Sequence, residues 1–527
     1  MTRSTRSLIP LLAACLAAAL LAAAASQAED ATARPAVRQI GSRKQLFIDE
    51  RFVAEKHDVA LVVNPPVKAG PIDVEAITAP CVVEHGGVCH LYQGLNGQTS
   101  LWTSVDGLQW KARGPIKGID DDGPQWTSIN SVFLDPKDAE YPFKGLYERI
   151  PKTIVEPTAN RTHTPPVPGG LFLCRSRDGI TWDYLPTVAI PFLCDTHNQM
   201  LYDPWRDRYA AYVRAFPEVS GPWKNKRCVA RVETADMLAL PWPHRTNPAN
   251  KRPDKHDFPY INDELDLVMG PDADDPPMTD LYNPCMHVYP EAEDVYLAFP
   301  SMYRYWGYGG GNSSAGRDHR GTFFNDGIFE TQLAVSRDGV RFTRHRTPYL
   351  HAGLVRNRSG SEGDVDCGLT MMGIGMLRRG DEIWQYSFGG RRTHEAKEQA
   401  EKQGRKGEAI MRLVQRLDGF MSIDAGSRGG EFTTPPLVFA GNRLVLNAAC
   451  HGLGEIWVEI LDEAGRPFPG FARADAVSID RNGTAQEVWW KQGPDVSALA
   501  GRPVRLRFVM RSAKLYAFAF GAGDREK

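Results

Sequence analysis

The sequence predicts an all-β protein, a five-bladed β-propeller followed by a C-terminal β-sandwich. Three observations support this fold class: a turn-rich composition, a repeat with a long period, and a change of pattern near residue 425. Aromatic residues make up 10% of the chain, which also contains 49 Gly and 38 Pro. This composition fits a β protein with many turns better than a bundle of helices.

Composition also disfavours two classes of protein. The 527 residues carry 62 Lys+Arg against 64 Asp+Glu, a net charge of -2, which disfavours a strongly basic nucleic-acid-binding protein. The apolar fraction of 42% can offset the entropy of ordering the chain, so wholesale disorder is ruled out. Nucleic acid is therefore not an expected partner, and the oligomeric state cannot be derived from these totals.

Residues 1–28 have the three parts of a signal peptide. Arg3 and Arg6 form a charged start, residues 8–25 form an apolar run, and Ser26 and Ala28 place small side chains at −3 and −1 of a cleavage site before Glu29. We expect cleavage and export to the periplasm or the extracellular space. Two alternatives are a membrane anchor, since the run is long enough to span a bilayer, and lipidation at Cys15, which lies in a lipobox-like sequence. No later segment is apolar enough to cross a membrane.

Eight cysteines remain after such a cleavage. This number is low for a chain of this length, so the protein is not a disulfide scaffold. Cys81 and Cys89 flank a predicted hairpin turn and could pair across it. No Cys-x-x-Cys pair occurs, which disfavours a structural zinc site.

A turn motif repeats along the chain at a long interval. The motif Ser-x-Asp-Gly-x-x-aromatic stands at 104–110, 176–182 and 336–342, and a degenerate copy stands at 416–420. The second interval is about twice the first and third, which predicts a missing copy near 232–236. Five units result. Coincidence is the alternative, because Ser-x-Asp-Gly is common in loops.

Each Asp-Gly pair predicts a tight hairpin turn, since Gly tolerates a positive φ and Asp can bond its own backbone. The closing aromatic residue is expected to pack back over its unit. Asp135-Pro136 and Asp203-Pro204 predict further turns between strands. Four short strands per unit, repeated around an axis, are the plan of a β-propeller. We place the propeller at 40–425 and expect the segment 45–50 to supply the strand that closes the ring.

The pattern changes after Gly426. Short alternating strands are predicted at 444–446, 455–460, 476–479 and 504–509, with turn clusters between them. This spacing is typical of a β-sandwich, which we place at 430–522.

Polar residues precede the first strand of every unit, where the inner strands of a propeller converge on one mouth. Four of the five units place carboxylates there. The predicted catalytic residues are Asp73, Glu75, Asp195 and Asp280, and the predicted substrate-binding residues are Trp126, Asn130, His197, Asn198, Tyr282, Asn283, Arg304, Asp366, Arg391 and His394.

Several acids around one funnel suit the cleavage of a glycosidic bond. One carboxylic acid protonates the leaving oxygen, and a carboxylate attacks the sugar or activates water. A third acid can raise the pKa of one of the others. Each acid alone could be an ordinary turn residue, and clustered acids could instead bind a structural calcium ion. No cofactor is expected.

The sequence resembles a group of secreted proteins, frequent in planctomycetes and related bacteria, that are similar to glycoside hydrolase family 32 in their N-terminal part. The resemblance covers nearly the whole mature chain. It is carried by the Ser-Arg-Asp-Gly turns, Gln45-Leu-Phe-Ile-Asp-Glu50, Thr279-Asp-Leu-Tyr-Asn283, Leu417-Asp-Gly-Phe420 and the segment 499–508.

Families 32 and 43 pair a five-bladed propeller with three channel acids, so the resemblance implies a role for each acid. Asp73 or Glu75 would be the nucleophile or base, Asp195 the acid that modulates the others, and Asp280 the proton donor. The sequence departs from family 32 because Asp280 stands where that family has a Glu, and because unit five adds acids that the families lack.

We therefore expect a secreted glycoside hydrolase that cleaves an oligo- or polysaccharide. The alternative, from another class, is a carbohydrate-binding propeller without catalysis. A glycan lyase or phosphorylase stays open, although no motif of basic residues supports it.

Overall fold

The computed structural model describes residues 37–95, 97–118, 128–149, 170–192, 194, 197–217, 223, 226–245, 265–305, 327–356, 363–394 and 407–521. Strands dominate these ranges, as predicted, together with two single-turn 3-10 helices at Glu50–Phe52 and Ser497–Leu499. Within the same ranges, no helix has the length and apolar character needed to cross a bilayer.

Five strands precede the first repeat unit. Each of them pairs with a strand that begins at Glu408 or later. The N-terminal segment is therefore built into the end of the chain. These strands are β1 (Arg38–Gly41), β2 (Gln45–Leu46), β3 (Glu55–His57), β4 (Val59–Val63) and β5 (Val67–Pro71).

Three antiparallel sheets of four strands follow, and each runs in chain order from its inner to its outer strand. Blade 1 contains β6 (Cys81–His85), β7 (Val88–Leu95), β8 (Gln98–Ser104) and β9 (Lys111–Pro115). Blade 2 contains β10 (Ile129–Leu134), β11 (Phe143–Arg149), β12 (Gly170–Ser176) and β13 (Trp182–Ile190). Blade 3 contains β14 (Gln199–Asp203), β15 (Arg208–Ala215), β16 (Cys228–Thr234) and β17 (Asp266–Met269).

Blade 4 has the same plan, but its two inner rows are interrupted. The third row, β22, pairs with both halves of the second row, and Cys285, with a φ of 42°, lies where the first row breaks. The strands are β18 (Thr279–Leu281), β19 (Met286–Val288), β20 (Tyr296–Ala298), β21 (Ser301–Tyr305), β22 (Gly327–Ser336) and β23 (Thr343–Leu350).

Blade 5 is completed by the N-terminal segment. It contains β24 (Leu369–Met372), β25 (Leu377–Arg379), β26 (Glu382–Gly390) and β27 (Glu408–Arg416), and β5 pairs with β27 as the outer strand. The segment 45–50 was predicted to close the ring, and this prediction was wrong. Its strand β2 pairs with the last strand of the chain instead, and the carboxylate of Asp49 caps the first 3-10 helix.

The inner strands contact one another around a closed ring, which confirms the five-bladed propeller. Four of the links between them use the side chain of a Cys, Ser or Gln, and the fifth joins two backbones directly. Val132 N donates to Cys81 Sγ (3.2 Å), Met200 N to Ser131 Oγ (3.0 Å), Met286 N to Gln199 Oε1 (2.6 Å), Cys285 Sγ to the Gly373 carbonyl (3.2 Å), and Val82 N to the Ile374 carbonyl (2.7 Å).

The repeated Asp-Gly turns join the third and outer strands of blades 1, 2 and 4, as the repeat predicts. The missing copy is confirmed between β16 and β17, where Thr234 Oγ1 accepts from Asp236 N (3.2 Å). The degenerate copy at Asp418 differs, because it leads to the C-terminal sheet while β5 occupies the outer position of blade 5.

A tyrosine from the preceding blade fastens each of the three full turns. The turn glycines have positive φ angles of 65–76°, which leaves their carbonyls pointing to the neighbouring blade. The closing aromatic ring also reaches that tyrosine: the Trp110 and Tyr386 centroids lie 5.6 Å apart. Tyr386 donates to the Gly107 carbonyl (2.6 Å), Tyr92 to Gly179 (2.8 Å) and Tyr212 to Gly339 (2.7 Å).

Five of the six remaining strands form an eight-stranded sheet together with β2, β3 and β4, whereas β30 pairs with β1 in a two-stranded parallel sheet. The two long members of the eight-stranded sheet pair from Arg443 opposite Gly521 to Leu461 opposite Arg505. Phe471, Ile479 and Trp490 pack on its apolar core, and a β-sandwich here stays a prediction, as do the domain boundaries. The strands are β28 (Met421–Ala425), β29 (Gly430–Thr433), β30 (Leu437–Phe439), β31 (Arg443–Leu461), β32 (Gly483–Glu487) and β33 (Arg505–Gly521).

The eight cysteines of the described chain are free thiols, so the predicted Cys81–Cys89 pair does not form. The hairpin register explains why, since Cys81 lies opposite Tyr92 and Cys89 lies opposite Glu84. Burial raises the pKa of Cys81 to about 12 and that of Cys89 to about 11. Both groups are therefore packing residues in the thiol form.

Candidate functional site

Asp73 and Glu75 lie in the segment that enters blade 1. Both side chains are exposed, whereas Val74 between them is buried in the apolar core. The buried side chain of Gln93 holds this segment, because its Nε2 donates to the Glu75 carbonyl at 2.8 Å and its Oε1 accepts from Ile77 N at 2.8 Å. Two carboxylates therefore project to solvent from a backbone that is fixed by hydrogen bonds.

Asp280 lies in β18 at the start of blade 4 and is 2% exposed. Its Oδ2 accepts from Arg227 Nη1 at 2.8 Å, and Lys226 Nζ lies 3.9 Å from Oδ1. Oδ1 makes no hydrogen bond to any part of the chain that the structure describes. Burial raises the pKa of Asp280, and the Arg227 and Lys226 cations oppose this rise without cancelling it.

Tyr282 follows β18 and is a meeting point of three blades. Its hydroxyl lies 3.1 Å from Nε2 of His394, which comes from blade 5. The Arg214 guanidinium of blade 3 lies over its ring, 4.9 Å from the centroid, and the His197 ring centroid is 6.2 Å away. Phe329 completes the aromatic wall at 4.7 Å.

The predicted site residues Asn198 and Asn283 are buried, at 5% and 3% exposure. Asn198 Oδ1 accepts from Arg214 N at 2.9 Å, and Asn283 Oδ1 accepts from Ser301 N at 3.2 Å. Each amide thus fixes the second strand of its own blade at the mouth. Their contact with a substrate stays a prediction.

Arg304 and Asp366 belong to a second network, between blades 4 and 5. Its ion pairs join Arg304 Nη2 to Glu330 Oε2 (3.0 Å) and Lys68 Nζ to Asp366 Oδ2 (2.6 Å), and His351 Nδ1 lies 3.2 Å from Glu330 Oε1. Lys68 also donates to the His351 carbonyl at 2.8 Å, so this network attaches the closing strand to the ring. Arg391 donates to the Gly363 carbonyl at 3.1 Å.

The structure thus brings four predicted residues together, namely His197, Asp280, Tyr282 and His394. Asp195 and Trp126 lie outside the described residues, and so does the side chain of Asn130. Among the described residues, no group of three or more His, Cys, Asp and Glu side chains could hold a metal ion, and a structural calcium site stays a prediction.

Sequence reasoning missed Arg214 and Arg227, whose guanidinium carbons lie 4.9 Å and 5.8 Å from the Tyr282 ring centroid. Arg214 lies near the end of β15, and Arg227 immediately precedes β16. The only sequence signal was their position at the same end of a blade as the predicted acids. That position alone does not distinguish these two from other arginines near strand ends.

Solved structures similar to this chain include carbohydrate-processing enzymes. A thermostable family-43 glycoside hydrolase is 12% identical, with a TM-score of 0.39, over 68% of this chain and 96% of that chain. A family 32 β-fructofuranosidase from Bombyx mori is 10% identical, with a TM-score of 0.36, over 88% of this chain and 96% of that chain. No protein-family model and no curated protein matches the sequence.

Proposed function

We propose that this protein is a glycoside hydrolase whose proton donor is Asp280. One observation carries the proposal: Asp280 is buried, its pKa is raised, and its Oδ1 makes no hydrogen bond within the described chain. A general acid must hold its proton near the working pH and must present it to the leaving oxygen. Burial raises the pKa of Asp280, which helps it to hold the proton. Oδ1, which makes no hydrogen bond within the described chain, can present that proton to the leaving oxygen.

The reaction needs a second carboxylate in addition to the acid. Asp73 or Glu75 would supply it, either by attacking the anomeric carbon or by removing a proton from the attacking water. The bond from the anomeric carbon to the leaving oxygen breaks while Asp280 transfers its proton to that oxygen. Tyr282 and the Arg227 cation border the site, and Asp195 stays a predicted modulator of the acid.

A glycan-binding propeller without catalysis is the second candidate. The observation in its favour is the ion pair between Arg227 and Asp280. A buried carboxylate next to a guanidinium can serve packing and orientation alone. In that case the protein would retain glycans at the mouth without releasing new reducing ends.

The decisive variant is Asp280→Asn, assayed against glycosides with good and with poor leaving groups. Loss of the acid should abolish turnover of alkyl glycosides and oligosaccharides, and it should spare aryl glycosides whose leaving group needs no proton. The matched control is Asp274→Asn, a nearby aspartate whose side chain is 84% exposed, which should leave both rates unchanged.

Equal loss on both substrate types would remove Asp280 from the role of proton donor. Turnover that persists in both the Asp73→Asn and the Glu75→Gln variant would exclude these two residues as the nucleophile or base. Glycan retention without reducing ends, in the wild-type protein, would establish the binding function instead.

A further inference from the structure

The C-terminal sheet carries a groove of its own, apart from the mouth of the propeller. The groove has a volume of about 390 Å³. It runs over β3, β29 and β33, three strands from distant parts of the chain that lie side by side in the sheet. Leu461 and Gly465, at the end of β31 and in the loop after it, complete the wall. Small-molecule sites in proteins have volumes of about 300–1,000 Å³, so the groove is large enough for a ligand.

The register of these strands places the groove on the face of the sheet that points away from the apolar core. Glu55 lies opposite Thr433, and Thr433 lies opposite Arg507, so these three side chains share one face. Phe432 and Phe508, which alternate with them, are buried in the core. The polar lining of the groove therefore does not serve the packing of the core.

Two arginines of the groove are held by carboxylates. Arg507 Nη2 donates to Oε1 and Oε2 of Glu431 at 2.7 and 2.6 Å. Arg505 Nη2 donates to Glu55 Oε1 at 2.6 Å, and its Nε donates to the Thr434 carbonyl at 2.9 Å. These contacts fix both guanidinium planes, and groups that are already ordered lose less entropy when a ligand binds.

The paired charges select the chemistry of a ligand. An anion would have to compete with Glu431 for Arg507. A cation would have to compete with Arg505 for Glu55. A hydroxyl group both donates and accepts, so it can bond a guanidinium N–H and a carboxylate oxygen without separating an ion pair. A guanidinium has five N–H groups and a carboxylate has about four acceptor positions, which is more than the contacts above occupy. The lining therefore fits a neutral molecule with several neighbouring hydroxyl groups.

From this arrangement we infer that the groove over β3, β29 and β33 binds a neutral oligosaccharide, whose hydroxyl groups bond Glu55, Arg505 and Arg507. The inference goes beyond the proposed function and does not depend on it, because the groove would bind glycan whether or not the propeller cleaves it.

Affinity electrophoresis in gels that contain a neutral polysaccharide measures this binding. Xylan, galactomannan and a mixed-linkage β-glucan are the probes. We expect at least one of them to retard the wild-type protein. The variant Arg507→Gln should raise the dissociation constant for that polysaccharide roughly tenfold or more, because it removes hydrogen bonds from a charged donor.

Glu55→Gln is a second variant, chosen because the Glu55 side chain is 69% exposed and its replacement leaves the core intact. It should weaken binding to the same polysaccharide. The matched control is Arg511→Gln. Arg511 lies on the same strand as Arg507 and pairs with Glu455, but it is not part of the groove lining, so this variant should bind as the wild type does. Near-ultraviolet circular dichroism establishes that all three variants keep the native packing.

Either of two outcomes overturns the inference: none of the neutral polysaccharides retards the wild type, or Arg507→Gln and Glu55→Gln bind as tightly as Arg511→Gln. The proposed function fails differently, when no glycan yields new reducing ends. A protein that is retarded through Arg507 but releases no reducing ends would retain the inference and lose the hydrolase assignment.

Discussion

Burial and hydrogen bonding move the pKa of a carboxyl group in opposite directions, and this protein uses both. Burial dominates at Asp280 and raises its pKa, although the Arg227 cation opposes the rise. At Asp338 burial also acts to raise the pKa, but the N–H groups of Arg341 and Val340 outweigh it and lower the pKa. The raised pKa of Asp280 is what the proposed proton donor requires, whereas Asp338 is a turn anchor that is charged at neutral pH.

The turn anchor predicts how stability depends on pH. Because the pKa of Asp338 is lower in the folded protein than its ordinary value of 3.8, its charge stabilises the fold above that pH, and this contribution is lost as pH falls through the folded pKa. We expect Asp338→Asn to be less stable than the wild type at pH 7, with a difference that shrinks toward pH 2. Urea unfolding at several pH values measures it, and a difference that is constant with pH would contradict the prediction.

At the level of single residues, the sequence predicted the acid, the tyrosine and the two histidines of the candidate site but not its two arginines. Asp280, Tyr282, His197 and His394 were found because each lies near the mouth end of a strand or flanks an inner one. Arg214 and Arg227 were not found, since arginines near strand ends are common and only the packing of blade 3 against blade 4 gives these two a shared partner. Side-chain direction across a blade interface is not encoded in local spacing.

The Asp-Gly turn and the tyrosine of the preceding blade together form the recurring element of the propeller. In blades 1 and 2 the turn carbonyl has a second donor, because Trp110 Nε1 and Trp182 Nε1 each lie 3.2 Å from it. In blade 4 the equivalent ring is Phe342, which cannot donate. The Gly339 carbonyl therefore depends on Tyr212 alone among these donors.

Because the turn carbonyl of blade 4 lacks the indole donor found in blades 1 and 2, the three tyrosine substitutions should destabilise the protein to different extents. Tyr212→Phe should lower the free energy of unfolding by about 1–3 kcal/mol, since it leaves a buried carbonyl without its side-chain donor. Tyr92→Phe and Tyr386→Phe should cost less, because the indole N–H remains. Urea unfolding of the three variants tests the order, with Tyr202→Phe as a control whose hydroxyl bonds Asp207 at the surface. Equal losses in all three would contradict it.

The positions of the turns were easier to predict from the sequence than the pairing of the strands. The repeat predicted the turns of blades 1, 2 and 4 and the hidden copy in blade 3, because a turn is specified by adjacent residues. The closing strand was misplaced, since Val67–Pro71 and Gln45–Leu46 are both short and neither carries a pattern that names its partner. Which of them meets β27 is decided by contacts across more than three hundred residues.

On the scale of the whole molecule, Asp418 joins the propeller to the C-terminal sheet. It is 1% exposed and accepts from Lys44 Nζ at 2.9 Å, from the Tyr289 hydroxyl at 2.9 Å, and from Asn447 Nδ2 at 3.0 Å. These donors come from the N-terminal segment, blade 4 and the C-terminal sheet. The sequence predicted two successive domains and gave no sign of this shared centre.

We therefore expect the intact protein to unfold in one calorimetric transition. A chain that ends at Ala425 should show no cooperative transition, because β2, β3 and the apolar core of the C-terminal sheet lose their partners. Differential scanning calorimetry of both chains is the test. A truncated propeller that melts at the temperature of the intact protein would show that the two parts are independent.

The pairing of the first five strands with the last part of the chain sets a condition on biosynthesis. Glu55 and its ion-pair partner Arg505 are 450 residues apart, and a ribosome adding about 5–20 residues per second needs roughly 20–90 s to cover that interval. During this time the leading strands have exposed edges and apolar faces, which invite aggregation. We therefore expect the first five strands to need protection from aggregation until the final strand emerges.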